Sequence, residues 1–379
     1  MEVASERATV ERVVRTALDE PQARLLDFRR VDIEYDAYLP GRRVSRFVGT
    51  AAVGGVVRPF SVVRKWTDSL AATPAAPWER GRREALAYRS GLLTAPSALR
   101  APRPMLIEVH DSGPVDLWLE DVPDPEPGRW SMSAFEAAAR ALGSFNAGWL
   151  DRALPPFDWL VVDWARRQSE PLDVPAAHAR ISADAASPRA RALLGADSGG
   201  RARRMLDDQP GLIRLLEGLP QVLCHHDAAR SNLVVRPGLD GSTEIVALDW
   251  ESAGPGPLGA DVATLVSGSV RKGDAAAELL DELDRVVFTG YLEGLRSAGW
   301  TGDPDAIRLG YAGSLALRSW FVRDTLRNLA DPAARPSLGR AAGTEPTAVL
   351  AAFARIARFL LDRADEARAL APAQGLRVS

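Results

Sequence analysis

The chain has 379 residues, of which 46% are hydrophobic and 26% charged, with a formal net charge of −3. This balance fits a globular protein with room for two domains and excludes the strong basic field of a nucleic-acid binder. A single cysteine, Cys224, excludes a disulfide framework and a cysteine-cluster zinc site. No apolar run approaches the ~18 residues of a membrane span, and the N-terminus is charged from its second residue without an apolar stretch, so a cytoplasmic protein with no membrane partner is expected.

Residues 4–19 place Val10, Val13, Val14, Ala17 and Leu18 on one helical face. Residues 31–39, 43–53 and 56–66 read as three strands, with turns at 39–43 and 53–55. A proline-containing loop leads to a helix over 78–93, and residues 105–111 and 115–122 read as a hairpin. The breaker cluster 123–128 then opens a mainly helical region. Helices are expected over 133–150, from 158 onward, and over 260–270, 276–299, 306–329 and 345–370. Residues 182–208 are poor in bulky apolar side chains and read as loop-rich, and 221–227, 232–237 and 244–250 read as short strands. The fold expected is α+β: a small lobe over 1–121 with five strands and an inserted helix, a hinge near 121–128, and a larger helical lobe over 122–379.

The sharpest chemical signal is the run His225-His226-Asp227, with Asn232 five residues beyond the aspartate and Asp249 a further 17 residues on, at the end of an apolar strand. Two carboxylates and an amide in this order suit phosphoryl transfer from Mg-ATP. Oxygen ligands hold the hard cation while the first aspartate orients an acceptor hydroxyl.

A second signal comes from the basic residues. Of 47, only Lys65 and Lys272 are lysines. A lysine in so arginine-rich a chain suggests a position that needs a compact ammonium. Lys65 ends the third strand, with Arg64 as its competitor, whereas Lys272 is expected to tolerate arginine.

These motifs resemble the aminoglycoside phosphotransferase and choline kinase branch of the protein-kinase-like fold, and most closely an actinobacterial group within it. In that family the loop reads H-G-D-x4-N. The resemblance implies Asp227 as catalytic base, Asn232 and Asp249 as Mg2+ ligands, His225 as a structural histidine and Asp261 as the residue that holds the loop backbone. It implies that Lys65 pairs with the ATP phosphates and that Glu84, with Glu79 as alternative, orients it. The backbone near Glu120 and Val122 would meet the adenine edge. The turn 40–43 stands where a phosphate-covering loop belongs, and Gly254–Gly259 where an activation segment belongs. His226 departs from the family's glycine. The expected function is ATP-dependent phosphorylation of a small-molecule hydroxyl. A kinase acting on Ser/Thr of a peptide and a non-catalytic nucleotide-binding protein are the alternatives. Trp159, Trp164 and Trp320 are candidate walls of a substrate pocket. The acidic run Asp274, Glu278, Asp281, Glu282 and Asp284 is a less favoured attractor for a cationic acceptor.

Overall fold

The computed structural model describes residues 2–33, 42–67, 77–93, 98–109, 114–169, 172–238, 241–331, 333 and 345–374. Two compact units are present. The first comprises Met1–Pro96, Arg100–Pro123 and Val246–Ser252, and the second Ser97–Leu99, Asp124–Ile245 and Ala253–Ser379. The short segment 246–252, which carries Asp249, therefore belongs with the N-terminal elements.

The first unit runs α1 (Glu2–Ala17), β1 (Arg24–Asp32), β2 (Arg42–Val53), β3 (Val56–Thr67) and α2 (Pro77–Arg89). After the two-residue β4 (Leu99–Arg100) come β5 (Pro104–Val109) and β6 (Val115–Glu120). Five strands form an antiparallel sheet in the order β1-β2-β3-β6-β5, as expected for the α+β class. The β2–β3 turn uses Gly54 and Gly55, both at positive φ, where side chains would be strained. Val10, Val13 and Val14 of α1 are fully buried against Leu25, Phe47, Phe60, Val62 and Trp118. Each such apolar side chain contributes about 1.5–3 kcal/mol. Because strand residues alternate, Phe60, Val62 and Arg64 face α1 while Lys65 takes the opposite face.

The first strand differs from expectation. It begins at Arg24 and ends at Asp32 rather than spanning 31–39. Three arginines among its nine residues, and Leu25 as its one buried side chain, leave little apolar alternation to detect. Residues 34–41, including the start of the expected 40–43 turn, lie outside the described residues.

The second unit contains α3 (Met132–Ala147), α4 (Trp164–Arg167), α5 (Val174–Ala185), α6 (Pro188–Leu194), α7 (Ser198–Asp207) and α8 (Gln209–Gly218). Next come β7 (Gln221–Cys224), β8 (Leu233–Pro237), β9 (Thr243–Ala247, whose last two residues are counted with the first unit) and β10 (Gly254–Pro257). The chain closes with α9 (Ala260–Arg271), α10 (Leu280–Ser297), α11 (Pro304–Ala316), α12 (Ser319–Ala330) and α13 (Pro346–Leu370). Residues 182–208 are thus helical, not loop-rich. Asp173 caps α5 through the Ala176 N–H, and Ser187 caps α6 through the Ala190 N–H, with Pro188 opening the helix. Alanine supplies most of the apolar surface around single anchors such as Ile181 and Leu194, so the periodic signal is thin. The helix expected from 158 onward shrinks to four residues, and the segment 306–329 divides at Leu317–Arg318.

Candidate functional site

In the first unit a buried cluster of charge forms around Lys65. Its Nζ donates to both carboxylate oxygens of Glu84, at 2.7 and 2.9 Å, and to Asp249 Oδ1 at 3.1 Å. Arg42 enters from β2 with its side chain almost wholly buried, donating to Asp249 at 2.8 Å, Glu84 at 3.2 Å and Glu251 at 2.6 Å. Burial alone would lower the Lys65 pKa, but the carboxylates of Asp249 and Glu84 outweigh it and the net shift is upward. Burial opposes ionisation of Asp249 too, yet Lys65 and Arg42 hold its carboxyl well below the usual range. Glu251 goes the other way: burial and the neighbouring Asp249 push it up to about 7. Asp249 itself sits at φ +63, a left-handed conformation that costs a non-glycine residue about 1–2 kcal/mol.

Arg64, the competitor for Lys65, is committed elsewhere. Its guanidinium makes two 2.8 Å hydrogen bonds to Asp116 and lies over the rings of Trp66 and Trp118. Of the two candidate glutamates, the structure brings Glu84 to Lys65; the side chain of Glu79 is outside the described residues. At the end of β6, Glu120 is tied by its carboxylate to Arg100 at 2.8 and 2.9 Å, and its N–H already donates to the Arg103 carbonyl. Val122, two residues past the strand, makes no backbone hydrogen bond among the described residues.

In the second unit the segment after β7 is held from below by Asp261, at the start of α9. Its carboxylate accepts from the backbone N–H groups of His225 at 3.1 Å and His226 at 2.8 Å, and from Asn146 Nδ2 at 3.2 Å. Asn146 also donates to the Leu223 carbonyl and accepts from the Tyr291 hydroxyl, both at 2.8 Å. His225 is fully buried and its Nδ1 accepts the Asp227 N–H. Asn232 Nδ2 donates to both the carbonyl and Oδ2 of Asp227, each at 2.8 Å. Both of its amide hydrogens are then used, which leaves its Oδ1 to accept or to ligate.

His226 shows how the chain accommodates a side chain where the family pattern has glycine. It adopts φ +62 and is buried. Its ring stacks on Trp164, and Nε2 lies 3.0 Å from the Pro255 carbonyl, which fixes the proton on Nε2. Gly256 makes room: a Cβ there would stand 2.5 Å from His226 Cε1. Burial pulls the imidazole pKa from 6.5 to about 4, so the ring is neutral at physiological pH. The Gly254–Gly259 run, expected to resemble an activation segment, forms β10 in antiparallel register with β7.

Of the three tryptophans considered as pocket walls, Trp164 stacks on this loop through His226. Trp159 is buried on Phe157, and Trp320 lies edge-on to Phe321. The acidic run does not act as one face: Asp284 is held by Arg308, Arg363 and the Tyr311 hydroxyl, and Asp274 is buried.

Sequence reasoning missed four participants. Arg42 entered only as part of the expected 40–43 turn, with no partner assigned to it. Asn146 and Tyr291 carried no motif. Lys272, expected to be silent, has its Nζ 3.8 Å from Asp227 Oδ1 and 3.0 Å from Ser231 Oγ. Its rarity as a lysine was the one signal that could have marked it.

Residues 61–300 match the model of the phosphotransferase enzyme family, APH. The chain belongs to this family. The match spans the Lys65–Glu84 pair, the Asp227 loop and Asp249. A sequence search of curated proteins gives no match. Among solved structures, the phosphotransferase chain is similar to the amicoumacin kinase hAmiN in complex with AMP-PNP and Ca2+ (14% identity, 94% of this chain and 96% of that one, TM-score 0.49). It is also similar to a microcompartment-associated aminopropanol kinase (15% identity, 98% and 99%, TM-score 0.46). A third is spectinomycin phosphotransferase with ADP and spectinomycin (12% identity, 87% and 94%, TM-score 0.44). Among the described residues no helix is long and apolar enough to cross a membrane.

Proposed function

We propose that this phosphotransferase moves the γ-phosphoryl group of ATP to a hydroxyl of a small molecule. The observation that carries the reading is the buried Lys65 ammonium, held by both oxygens of Glu84 and reaching Asp249. An ammonium fixed in this way is pre-positioned to meet phosphate oxygens at no further ordering cost. The elements over 1–121 would bind the nucleotide, with backbone groups beside Glu120 and at Val122 available to the adenine edge through the Val122 N–H and carbonyl.

The Asp249 carboxylate and the Asn232 Oδ1 are hard oxygen donors and fit Mg2+. When bound, Mg2+ would offset the negative charge of the phosphates. Asp227 would accept a hydrogen bond from the acceptor hydroxyl and take its proton as the new O–P bond forms and ADP leaves. Asn232 fixes one oxygen of that carboxylate, and Asp261, through the His225 and His226 N–H groups, fixes the loop that carries it.

The test is ATP turnover with Mg2+ against sugars, amino alcohols, nucleosides, aminoglycosides and peptides, with the phosphate located by mass spectrometry. Acceptor-dependent ADP release with phosphate on a small-molecule hydroxyl is expected. Phosphate found only on peptide Ser/Thr, or no Mg-ATP binding, would overturn the reading.

A further inference from the structure

Both lysines of the chain lie beside a candidate catalytic carboxylate: Lys65 beside Asp249 and Lys272 beside Asp227. The second is not alone. Lys272 caps the C-terminal end of α9, directly after Arg271. Arg318, between α11 and α12, donates to Thr264 Oγ1 at 3.0 Å, and Thr264 in turn reaches the His226 carbonyl. Three cations therefore gather at the loop that carries Asp227.

The helix dipole accounts for two of them, since cations are favoured at a helix C-terminus. Arg318 stands between two helix ends, donating to the Ser314 carbonyl in the last turn of α11, which favours a cation, while it precedes the first turn of α12, which does not. Among the described residues neither Arg271 nor Arg318 has an ion pair, and the partners of Arg318 are the Ser314 carbonyl and the Thr264 hydroxyl. Burial and then Arg271 bring the Arg318 pKa down to about 10, against the smaller upward pull of Tyr311 and Asp227. Asp227 keeps 42% of its side chain exposed and Lys272 27%, so the group is open to a ligand.

Resting on the phosphotransferase reading above, we infer that the acceptor carries an anionic oxygen group, a carboxylate or a phosphate, bound by Lys272, Arg271 and Arg318 while its hydroxyl meets Asp227. Cations that outnumber their carboxylate neighbours concentrate anions and repel polycations. An aminoglycoside or a simple amino alcohol would bring positive charge to a place that already holds an excess of it.

The experiment uses matched acceptors that differ by one anionic group: serine against ethanolamine, homoserine against 3-aminopropanol, and glycerol 3-phosphate against glycerol, with kanamycin as the polycation. Binding to the full chain loaded with Mg-ADP is read by saturation-transfer NMR, and turnover with Mg-ATP by ADP release. At least one anionic member should bind and react with kcat/KM ten-fold or more above its counterpart, and the pair that responds tells carboxylate from phosphate. Lys272→Met and Arg271→Met, both at partly exposed positions, should each raise its KM about ten-fold with KM for ATP and Tm nearly unchanged. Preference for the amines or kanamycin, no binding of any anionic member, or an equal loss of kcat for charged and uncharged acceptors in both variants would overturn the inference. Failure to bind Mg-ADP or Mg-ATP at all would instead remove the phosphotransferase reading on which it rests.

Discussion

The imidazole of His226 lies flat on the indole of Trp164, with ring centroids 4.5 Å apart and planes 9° from parallel. This stack ties the residue before Asp227 to α4. It also compensates for a left-handed backbone that glycine would adopt without strain. His226→Gly should therefore relieve about 1–2 kcal/mol of backbone strain and lose more than that in ring burial and stacking. The pH dependence separates the two effects. In the unfolded chain the histidine takes a proton near 6.5, whereas in the folded chain it does so only near 4. Stability from the neutral ring is complete above about pH 6.5 and falls by up to about 1.4 kcal/mol per unit as the pH drops toward 4. Denaturant melts of both proteins from pH 8 to 4.5 should show the wild type ahead at pH 8 and the gap closing on acidification. A gap independent of pH would contradict a buried neutral imidazole.

Gly256 should be coupled to the same ring. A methyl at 256 would stand 2.5 Å from His226 Cε1 and 3.0 Å from Cys224 Sγ. Gly256→Ala is expected to cost about 2 kcal/mol or more in the wild type and distinctly less in the His226→Gly background, with a coupling of about 1 kcal/mol. Additive losses in the double-mutant cycle would place the strain at Cys224 instead.

The Asp227–Asn232–Asp249 spacing was legible because two carboxylates and an amide beside apolar strands leave a local trace. So were the α1 face and four strands of the sheet, with periodicities carried by Val10, Val13, Val14 and by Phe60 and Val62, whereas β1 was expected seven residues too late. The rest depended on contacts far apart in sequence. Arg42 meets Glu251 across 209 positions and Tyr291 meets Asn146 across 145. Neither pairing has a local signature. The helices of 182–208 were hidden for another reason: alanine makes good helix without making apolar contrast.

Asp227→Asn should lower kcat by orders of magnitude while ATP affinity stays within a few-fold, since the residues assigned to the phosphates and the metal are untouched. Asn232 can still donate to the 227 carbonyl, so the loop should remain in place. The readouts are steady-state turnover and nucleotide affinity by calorimetry. Near-full turnover in the variant would remove Asp227 from the mechanism.

Asp249→Ala addresses the metal. Its loss leaves Arg42 and Lys65 facing Glu84 and Glu251, two cations to two carboxylates, so the variant should fold. ATP binding should weaken and lose its dependence on Mg2+, as should the wild type stripped with EDTA. Asn232→Ala should have the same effect more weakly. Calorimetric titration of ATP with and without Mg2+ decides, and a wild-type affinity indifferent to Mg2+ would sink the assignment.

The last prediction turns on neighbouring residues with opposite surroundings. Lys65 places one ammonium against both oxygens of Glu84 and against Asp249. A guanidinium is longer and planar, and Arg42 already fills the space beside the same two carboxylates. Lys65→Arg should therefore lose most turnover while the protein stays folded. Arg64 faces α1, two hydrogen bonds deep in Asp116 and over two indole rings. A lysine there keeps the charge but loses the second hydrogen bond and the planar stack. Arg64→Lys should lower stability by about 1 kcal/mol and leave kcat and KM for ATP alone. Turnover at saturating ATP and a melting temperature for each variant make a two-by-two comparison in which each substitution should move one quantity only. If Arg64→Lys were the variant that lost turnover at constant Tm, the nucleotide would have to lie on the α1 face of the sheet, and the assignment of Lys65 and Glu84 would fail together.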